Sequence, residues 1–256
     1  MSKTEVKLNI KDKKKRKSLL NSIIRQVLTS LVILVILFTL MNFSAFYKIA
    51  ENKVQEILGI NNTQTLTNII ETPDSPIDIK NLEVITEFSE EKNMEIPNMN
   101  FEIAPLTDRI IIPSIGQNVP IIKVSSENLI NKDFKALEKD IQDALRGGVV
   151  HYPGTDYSGD GGNVVITGHS SYFPWDPGRF KDVFALLHDV EVGDKVYVYH
   201  NQKKYVYQIN EIFEVNPTNI DVLKQTKDEQ LTLITCTPVG TNLRRLIVVA
   251  KPVLEN

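Results

Sequence analysis

The sequence predicts a mainly-β domain of about eight short strands, closed or nearly closed into a barrel with helical insertions, behind an amino-terminal transmembrane helix. The anchor is predicted by an uncharged apolar run that follows a basic terminus. The barrel is predicted by apolar segments that are short and separated by turn residues, among which helical periodicity is rare. Many short strands with few helices are typical of a β-barrel.

The basic terminus and the apolar run together predict a membrane anchor. Residues 1–25 contain nine Lys or Arg against Glu5 and Asp12, and the 20 residues Val27–Phe46 carry no charge. As a helix, this run is about 30 Å long and can cross a hydrocarbon core. A cleaved signal peptide is the alternative, but its apolar core is normally shorter, and no small-x-small cleavage site follows the run. By the positive-inside rule we expect a cytoplasmic tail at 1–25, an anchor at 26–47 and an external remainder.

The charge balance changes sign after the anchor. The chain has 29 basic and 32 acidic residues, and residues beyond the first 25 keep 20 basic and 30 acidic ones. A nucleic-acid-binding protein needs basic surface for phosphates, so this class is excluded.

Residues 48–104 are expected to form a stalk or linker. Apolar residues are scattered there among Asn, Thr, Pro and acidic residues, too few to offset the entropy of ordering the chain. Ala50–Leu58 can continue the membrane helix for two turns.

Residues 105–256 are predicted to be the folded domain, long enough for one sizeable core. Two segments have helical spacing, Phe134–Arg146 and Phe180–Leu187. The predicted strands are Arg109–Ile112, Val119–Val124, Gly148–His151, Asn163–Thr167, Lys195–Tyr199, Tyr205–Ile212, the run Leu231–Pro238, and Arg244–Val249.

The only cysteine, Cys236, lies where the seventh predicted strand gives way to a loop with Pro238 and Gly240. Two strands joined by a short loop predict an antiparallel hairpin, so Cys236 meets Arg244 or Arg245 at the loop mouth. A neighbouring guanidinium favours the thiolate form of a cysteine. The alternative for a lone cysteine is a small buried apolar side chain.

Four histidines are candidates for a partner to this thiol. His200 is expected at an exposed hairpin tip, and His188 at a helix end. His169 and His151 both end predicted strands, and their spacing does not choose between them.

The motifs around these residues resemble the sortases, the cysteine transpeptidases of bacterial cell envelopes. Sortases have a His, then a Thr-Leu-x-Thr-Cys strand, then an Arg on the next strand. This chain has that order in Gly168-His169, Thr232–Cys236 and Arg245–Val248. The surroundings that are also similar to sortases are Arg109–Gly116, His151–Thr155, Gly161–Asn163 and Val192–Asp194.

The resemblance implies an eight-stranded sortase-type barrel with Cys236 as nucleophile. It makes His169 the proton donor and acceptor, and Arg245 the group that binds substrate and stabilises the oxyanion. The further substrate-binding or supporting residues are predicted to be His151, Thr235, Arg244 and Trp175, with Arg244 facing the opposite side of its strand from Arg245.

The resemblance also implies the reaction and the partners. A Leu-Pro-x-Thr-Gly-type sorting signal is cleaved after Thr, and an amine of a cell-wall precursor or a pilin lysine resolves the thioacyl-enzyme. Expected partners are surface proteins or pilins that carry the signal, in the membrane of a bacterium with a sortase system.

The subclass stays open between class C, D and E types. The Asp-Pro-aromatic lid of several pilin-polymerising sortases is missing between Ala50 and Phe101, although the Thr237-Pro238-x-Gly240 loop resembles that class. Ser170–Arg179 contains an aromatic insertion with Trp175, interpreted as a loop over the cleft or as a packed surface loop.

Asp156-x-Ser158-x-Asp160-Gly161 begins like a calcium loop, but Thr167 occupies the twelfth position, where a bidentate glutamate belongs. A turn is favoured, and no cofactor is predicted; the resemblance leaves calcium possible, since some sortases bind it near the cleft, but it identifies no ligating residues here.

Two other functions compete. One is a catalytically silent envelope-binding or adhesion module on a stalk, which has no reason to keep thiol, imidazole and guanidinium together. The other is a papain-like protease, but those enzymes carry the cysteine near the start of the domain on a helix.

Overall fold

A computed structural model describes residues 3–58 and 104–253, with side chains from residue 20 onward. Two helices come first, α1 (Lys3–Met41) and α2 (Phe43–Leu58). Within α1, Leu20–Met41 is long and apolar enough to cross a membrane, with a mean hydropathy of 2.3 and none of it buried in the protein. Helical structure does continue through Ala50–Leu58, as predicted. The rest of the predicted stalk, residues 59–103, lies outside the described part of the chain.

The mainly-β domain is a closed barrel of eight strands, as the sequence predicted. The strands follow one another around the barrel in the order β1-β2-β3-β4-β7-β8-β6-β5. Their bounds are β1 (Arg109–Ile112), β2 (Gln117–Lys123), β3 (Val149–His151), β4 (Asn163–Thr167), β5 (Lys195–His200), β6 (Lys203–Val215), β7 (Gln230–Thr237) and β8 (Arg244–Pro252).

A helical crossover joins β2 to β3, which pair in parallel. It contains a short helix, α3 (Glu127–Ile130), and the predicted amphipathic helix, α4 (Phe134–Ala144). The Asp133 side chain caps α4 by accepting a hydrogen bond from the Ala136 N–H at 3.0 Å. Leu137 and Ile141 of α4 pack with Val150 of β3 on the outside of the barrel.

The central strands β4 and β7 pair in parallel and are the most completely buried part of the sheet. Their side chains on one face fill the barrel, and those on the other face pack outside it. This explains why both strands are nearly continuous apolar runs in the sequence. The interior layer they contribute to is Val164, Ile166, Leu231 and Leu233.

The predicted second helix, Phe180–Leu187, is wrong. The segment forms turns and then a 3-10 helix over Leu187–Asp189. Every residue from Val183 to Leu187 is buried, which an amphipathic surface helix does not allow. The Phe184 N–H donates to the His169 carbonyl at 2.9 Å. This hydrogen bond is made to another part of the chain and not to a preceding helical turn.

Candidate active site

Three neighbouring strand ends, those of β4, β7 and the start of β8, bring the predicted catalytic residues to one end of the barrel. Because β4 and β7 are parallel, their carboxyl ends meet at the same rim. Because β8 is antiparallel to β7, its first residues return to that rim. The site is therefore built on rigid strands rather than on a long loop.

Cys236 and Arg245 are directly opposite each other in the β7–β8 ladder. Residues that face each other across two antiparallel strands point to the same side of the sheet. The Arg245 guanidinium is held by the loop before it, since its Nη1 donates to the carbonyls of Asn242 and Arg244 at 3.2 Å each. The structure thus puts a fixed positive charge beside the thiol.

Arg244 lies on the other face of β8, opposite Thr237. Its Nε is 2.8 Å from Glu214 Oε2 on β6, and its Nη2 donates to the Glu214 carbonyl at 3.2 Å. The side chain is exposed and is engaged away from Cys236. The structure therefore separates the two adjacent arginines by strand alternation.

His169 is positioned through the residues just before it and before Cys236. Thr167 pairs with Ile234, the Gly168 N–H donates to the Ile234 carbonyl at 3.1 Å, and Thr235 Oγ1 donates to the Gly168 carbonyl at 2.8 Å. The same register, continued for two residues, brings His169 alongside Cys236. Thr235 thus joins, through its hydrogen bond, the two chain segments that carry these groups.

Gly168 is required by close packing behind the histidine. A Cβ at this position would be 2.6 Å from the ring of Phe184, closer than real contacts allow. The Phe184 N–H also donates to the His169 carbonyl, so the segment around 184 supports the histidine from behind.

Burial keeps both groups of the candidate pair neutral. It raises the pKa of the Cys236 thiol above its usual 9.0, and the opposing effect of Arg245 is smaller. It lowers the pKa of His169 from 6.5 to about 4, against weaker attraction from Asp176 and Glu138. The sequence-based expectation that a guanidinium favours the thiolate has the right sign for Arg245, but desolvation is the larger effect.

A row of aromatic rings leads from His169 to the surface. Tyr172 stacks on the imidazole with centroids 4.3 Å apart, Phe173 lies 5.2 Å from Tyr172, and Trp175 stacks on Phe173 at 5.0 Å. Trp175 itself is 71% exposed. The ring that stacks on the histidine is thus Tyr172, while Trp175 is separated from His169 by two rings.

The aromatic loop is tied to the end of the α4 crossover. Arg146 Nη2 is 3.1 Å from Asp176 Oδ2, and the Gly178 N–H donates to Asp176 Oδ1 at 2.9 Å. These contacts lower the pKa of Asp176, the backbone hydrogen bond being the larger cause and Arg146 the next. Asp176 therefore stays negatively charged, and its charge favours the protonated form of His169.

The structure does not bring His151 to this site. β3 runs antiparallel to β4, so it leads away from the rim that carries His169, and His151 pairs with Ile166, three residues before His169. Its Nε2 is 2.8 Å from the Asp156 carbonyl oxygen, and its ring stacks on Tyr157 at 4.1 Å. Both strand-end histidines fit the same sequence pattern, and only strand direction separates them.

His200 is buried, and the expectation that it is exposed is wrong. Its Nδ1 lies 2.8 Å from Asp108 Oδ2, and its ring stacks on the other side of Tyr157 at 4.8 Å. Asp108, the residue before β1, thus covers the tip of the β5–β6 hairpin. Turn residues in the sequence identify the hairpin, but they do not show that another segment of the chain covers it.

Sequence reasoning missed three residues that act on the pair: Tyr172, Phe184 and Glu138. Tyr172 covers the imidazole, Phe184 supports His169, and the Glu138 carboxylate on α4 raises the pKa of both His169 and Cys236. Tyr172 follows the histidine by three residues in an aromatic loop, which is a usable signal. No local pattern identifies Glu138, because the crossover brings α4 there.

The segment that begins like a calcium loop forms a turn. Asp160 Oδ2 accepts from the Tyr157 N–H at 3.2 Å, and the Asp160 N–H donates to the Tyr157 carbonyl at 2.9 Å. Among the described residues, no group of three or more His, Cys, Asp or Glu side chains is arranged to hold a metal ion.

Comparison with known proteins places these features in one family. A Sortase domain model matches residues 110–253, more than half of the chain. Sortase A of Bacillus anthracis is 26% identical over 155 residues, covering 60% of this chain and 63% of that protein. Sortase D of Bacillus subtilis is 29% identical over 146 residues, covering 55% and 67%.

Among solved structures, sortase A from Corynebacterium diphtheriae is 28% identical, with a TM-score of 0.48 over 60% of this chain and 63% of that one. The chain thus spans a little under two thirds of the length of the first of these relatives.

Proposed function

The chain belongs to the sortase family, and on that premise we propose that it is a membrane-anchored cysteine transpeptidase. The observation that carries this proposal is the order β4-β7-β8, with His169, Cys236 and Arg245 at three adjoining strand ends. A catalytically silent adhesion module has no reason to keep these three groups together. A nucleophile, a proton-transfer group and a charge that can bind an oxyanion are the set that acyl transfer requires.

The first half of the reaction forms a thioacyl-enzyme. The Cys236 sulfur attacks the carbonyl carbon of the scissile residue while its proton passes to His169, and Arg245 stabilises the oxyanion. When the tetrahedral intermediate collapses, the peptide C–N bond breaks and His169 gives its proton to the leaving amine. We propose a Leu-Pro-x-Thr-Gly-type signal as the substrate, cleaved after Thr.

The second half returns the enzyme to its starting state. An incoming amine attacks the thioester carbon and loses a proton to His169. The new C–N bond forms, the C–S bond breaks, and the proton returns to the Cys236 sulfur. The neutral resting pair suits this cycle, because one proton is shared between two groups at the start and at the end. The proposed acceptors are the amine of a cell-wall precursor and a pilin lysine.

The apolar stretch Leu20–Met41 supports a single-pass anchor. The basic residues before it and the acidic excess after it favour a cytoplasmic amino terminus and an external barrel. Protease added to intact cells should then remove the barrel, whereas a protected barrel would refute this orientation. The proposed partners outside are surface proteins or pilins that carry sorting signals.

The chemistry is tested with the full-length protein in detergent micelles and a library of fluorogenic sorting-signal peptides. We expect cleavage that hydroxylamine accelerates, with release of the peptide hydroxamate, and no turnover by Cys236→Ser or His169→Asn. An acceptor series with diaminopimelyl, oligoglycine and lysine amines then identifies the nucleophile that competes best with water. Binding of peptides without any hydroxamate would favour the silent module.

A further inference from the structure

Helix α2 is docked on the barrel rather than projecting from it. One face of the helix is covered, with Ala45 only 1% exposed and Ile49 packed against the barrel core. The Asp182 carboxylate accepts a hydrogen bond from the Ser44 hydroxyl and lies 3.4 Å from Lys48 Nζ. Further along, Asn52 donates to Asp189 at 3.3 Å.

The docking face meets the segment that supports the catalytic histidine. Asp182 and Asp189 flank Phe184, whose N–H donates to the His169 carbonyl. The contact therefore lies at the catalytic end of the barrel and not on its far side.

A second contact joins the loop after Cys236, residues 238–243, to the apolar span itself. A Cβ on Gly240 would be 2.9 Å from both Phe38 Cζ and Asn42 Oδ1, so the loop backbone touches the helix directly. Gly240 also has φ 85, a conformation that favours glycine. Phe38 is three residues inside the end of the span, a depth of roughly 5 Å along a helix.

The exposed side chains around this contact suit a lipid–water boundary. Leu243 in the same loop is 68% exposed. Phe43 and Tyr47, just beyond the span, are also exposed, with ring centroids 6.0 Å apart. Aromatic side chains in the first turns after an apolar span are typical of the headgroup region.

We propose that α2 seats the catalytic end of the barrel on the membrane surface, with loop 238–243 in contact with lipid. This rests on the membrane anchoring proposed above. Cys236 is four residues from Gly240, and four residues reach at most about 14 Å. The thiol therefore acts close to the bilayer surface, on chain segments and amines presented there.

The test measures lipid contact of the loop in the full-length chain in vesicles of phosphatidylcholine and phosphatidylglycerol. Cys236→Ser removes the only cysteine, and Leu243→Cys then places a single bimane on the loop. The control position is Lys203→Cys, exposed in the β5–β6 hairpin at the opposite end of the barrel. We expect headgroup-nitroxide lipids to quench bimane at 243 and not at 203.

A matched pair of substitutions tests the role of docking. Ala45→Glu puts a carboxylate into the covered face of α2, whereas Ala50→Glu adds the same charge on its exposed face. We expect Ala45→Glu to abolish the quenching at 243 and Ala50→Glu to preserve it. Equal quenching in both variants, or none at 243 in the parent, overturns the proposal.

Two controls separate this outcome from failure of the proposed function. Flotation of the labelled chain with the vesicles tests the anchor, and a chain that stays in the aqueous fraction overturns anchor and proposal together. Peptide cleavage by the unlabelled wild-type chain tests the chemistry. A chain that floats and cleaves, but shows no lipid quenching at 243, refutes only the seating of the barrel.

Discussion

At the scale of single residues, Arg244 and Arg245 are adjacent in sequence but lie on opposite faces of β8. Arg245 faces Cys236, while Arg244 pairs with Glu214 on an exposed surface. Removing one oxyanion donor typically costs about 10²–10³-fold in turnover. An exposed ion pair contributes only about 0.2–1 kcal/mol.

We therefore expect Arg245→Ala to lower kcat for peptide cleavage by roughly 10²–10³-fold, with a smaller effect on KM. Arg244→Ala should change either constant only a few-fold. Arg245→Lys should restore little activity, because a point charge lacks the planar fork of guanidinium. Steady-state kinetics with circular dichroism to check folding decides the matter. If only Arg244→Ala lost activity, the functional arginine would be Arg244, which in this structure faces away from Cys236.

The pH dependence of kcat/KM follows from the shifted pKa values of His169 and Cys236. The active pair shares one proton between the two groups. A second proton binds only as pH falls through the pKa of His169, which burial lowers to about 4. The shared proton is lost only as pH rises through the pKa of Cys236, which burial raises above 9.0. We expect a broad bell with its acid limb below 6.5 and its alkaline limb above 9.0. An acid limb at 6.5 or higher would mean that His169 is solvated in solution.

At the scale of elements, the aromatic loop after β4 determines how well His169 is shielded from water. Tyr172 stacks on the imidazole, whereas Trp175 is exposed and is separated from it by two rings. Tyr172→Ala should raise the pKa of His169 from about 4 towards 6.5, and Trp175→Ala should leave it unchanged. Tyr172→Phe keeps the ring and should behave as wild type.

Imidazole resonances of His169, followed by NMR against pH, measure this directly, and the acid limb of kcat/KM should move with them. If Trp175→Ala shifts the resonance as much as Tyr172→Ala does, the whole loop, rather than the stacked ring, excludes water.

The strands were predictable because each carries its own signal, a short apolar run between turn residues. The segment Phe180–Leu187 was not, because its apolar residues repeat like a helix, while its backbone forms local turns and its Phe184 N–H donates to the His169 carbonyl. The same limit applies to the site. Motif order identifies Cys236 and His169 as candidates, but the direction of β3, which removes His151 from the site, depends on the crossover through α4.

At the scale of the whole molecule, α2 belongs structurally to the barrel, although residues 43–47 were predicted to end the anchor and residues 48–58 to begin a stalk. Nothing in the composition of 48–58 distinguishes a docked helix from a spacer, because the partners, Asp182 and Asp189, lie more than a hundred residues further on. The consequence is that a chain beginning at residue 104 exposes a surface that the full chain covers.

We expect such a truncated chain to keep the closed barrel, whose core is its own, but to be less stable and less active than the full chain. If docking contributes about 1–2 kcal/mol through partly buried side chains such as Ile49, the midpoint Tm should fall by roughly 2–8 °C. Activity should fall as well, because the segment that α2 supports also donates to the His169 carbonyl. Thermal unfolding by circular dichroism and peptide cleavage, both in the same micelles, measure the two effects.

The full-length variants Ala45→Glu and Ala50→Glu calibrate this comparison, because each adds one carboxylate to α2 and only the first enters the covered face. Ala45→Glu should reproduce the lower Tm and activity of the truncated chain, and Ala50→Glu should match the wild type. A truncated chain as stable and as active as the full chain would show that the α2 contact stabilises neither the barrel nor the His169 segment. A truncated chain that loses activity while Ala45→Glu retains it would assign the loss to the missing anchor or linker, since the covered face of α2 would then have no part in it.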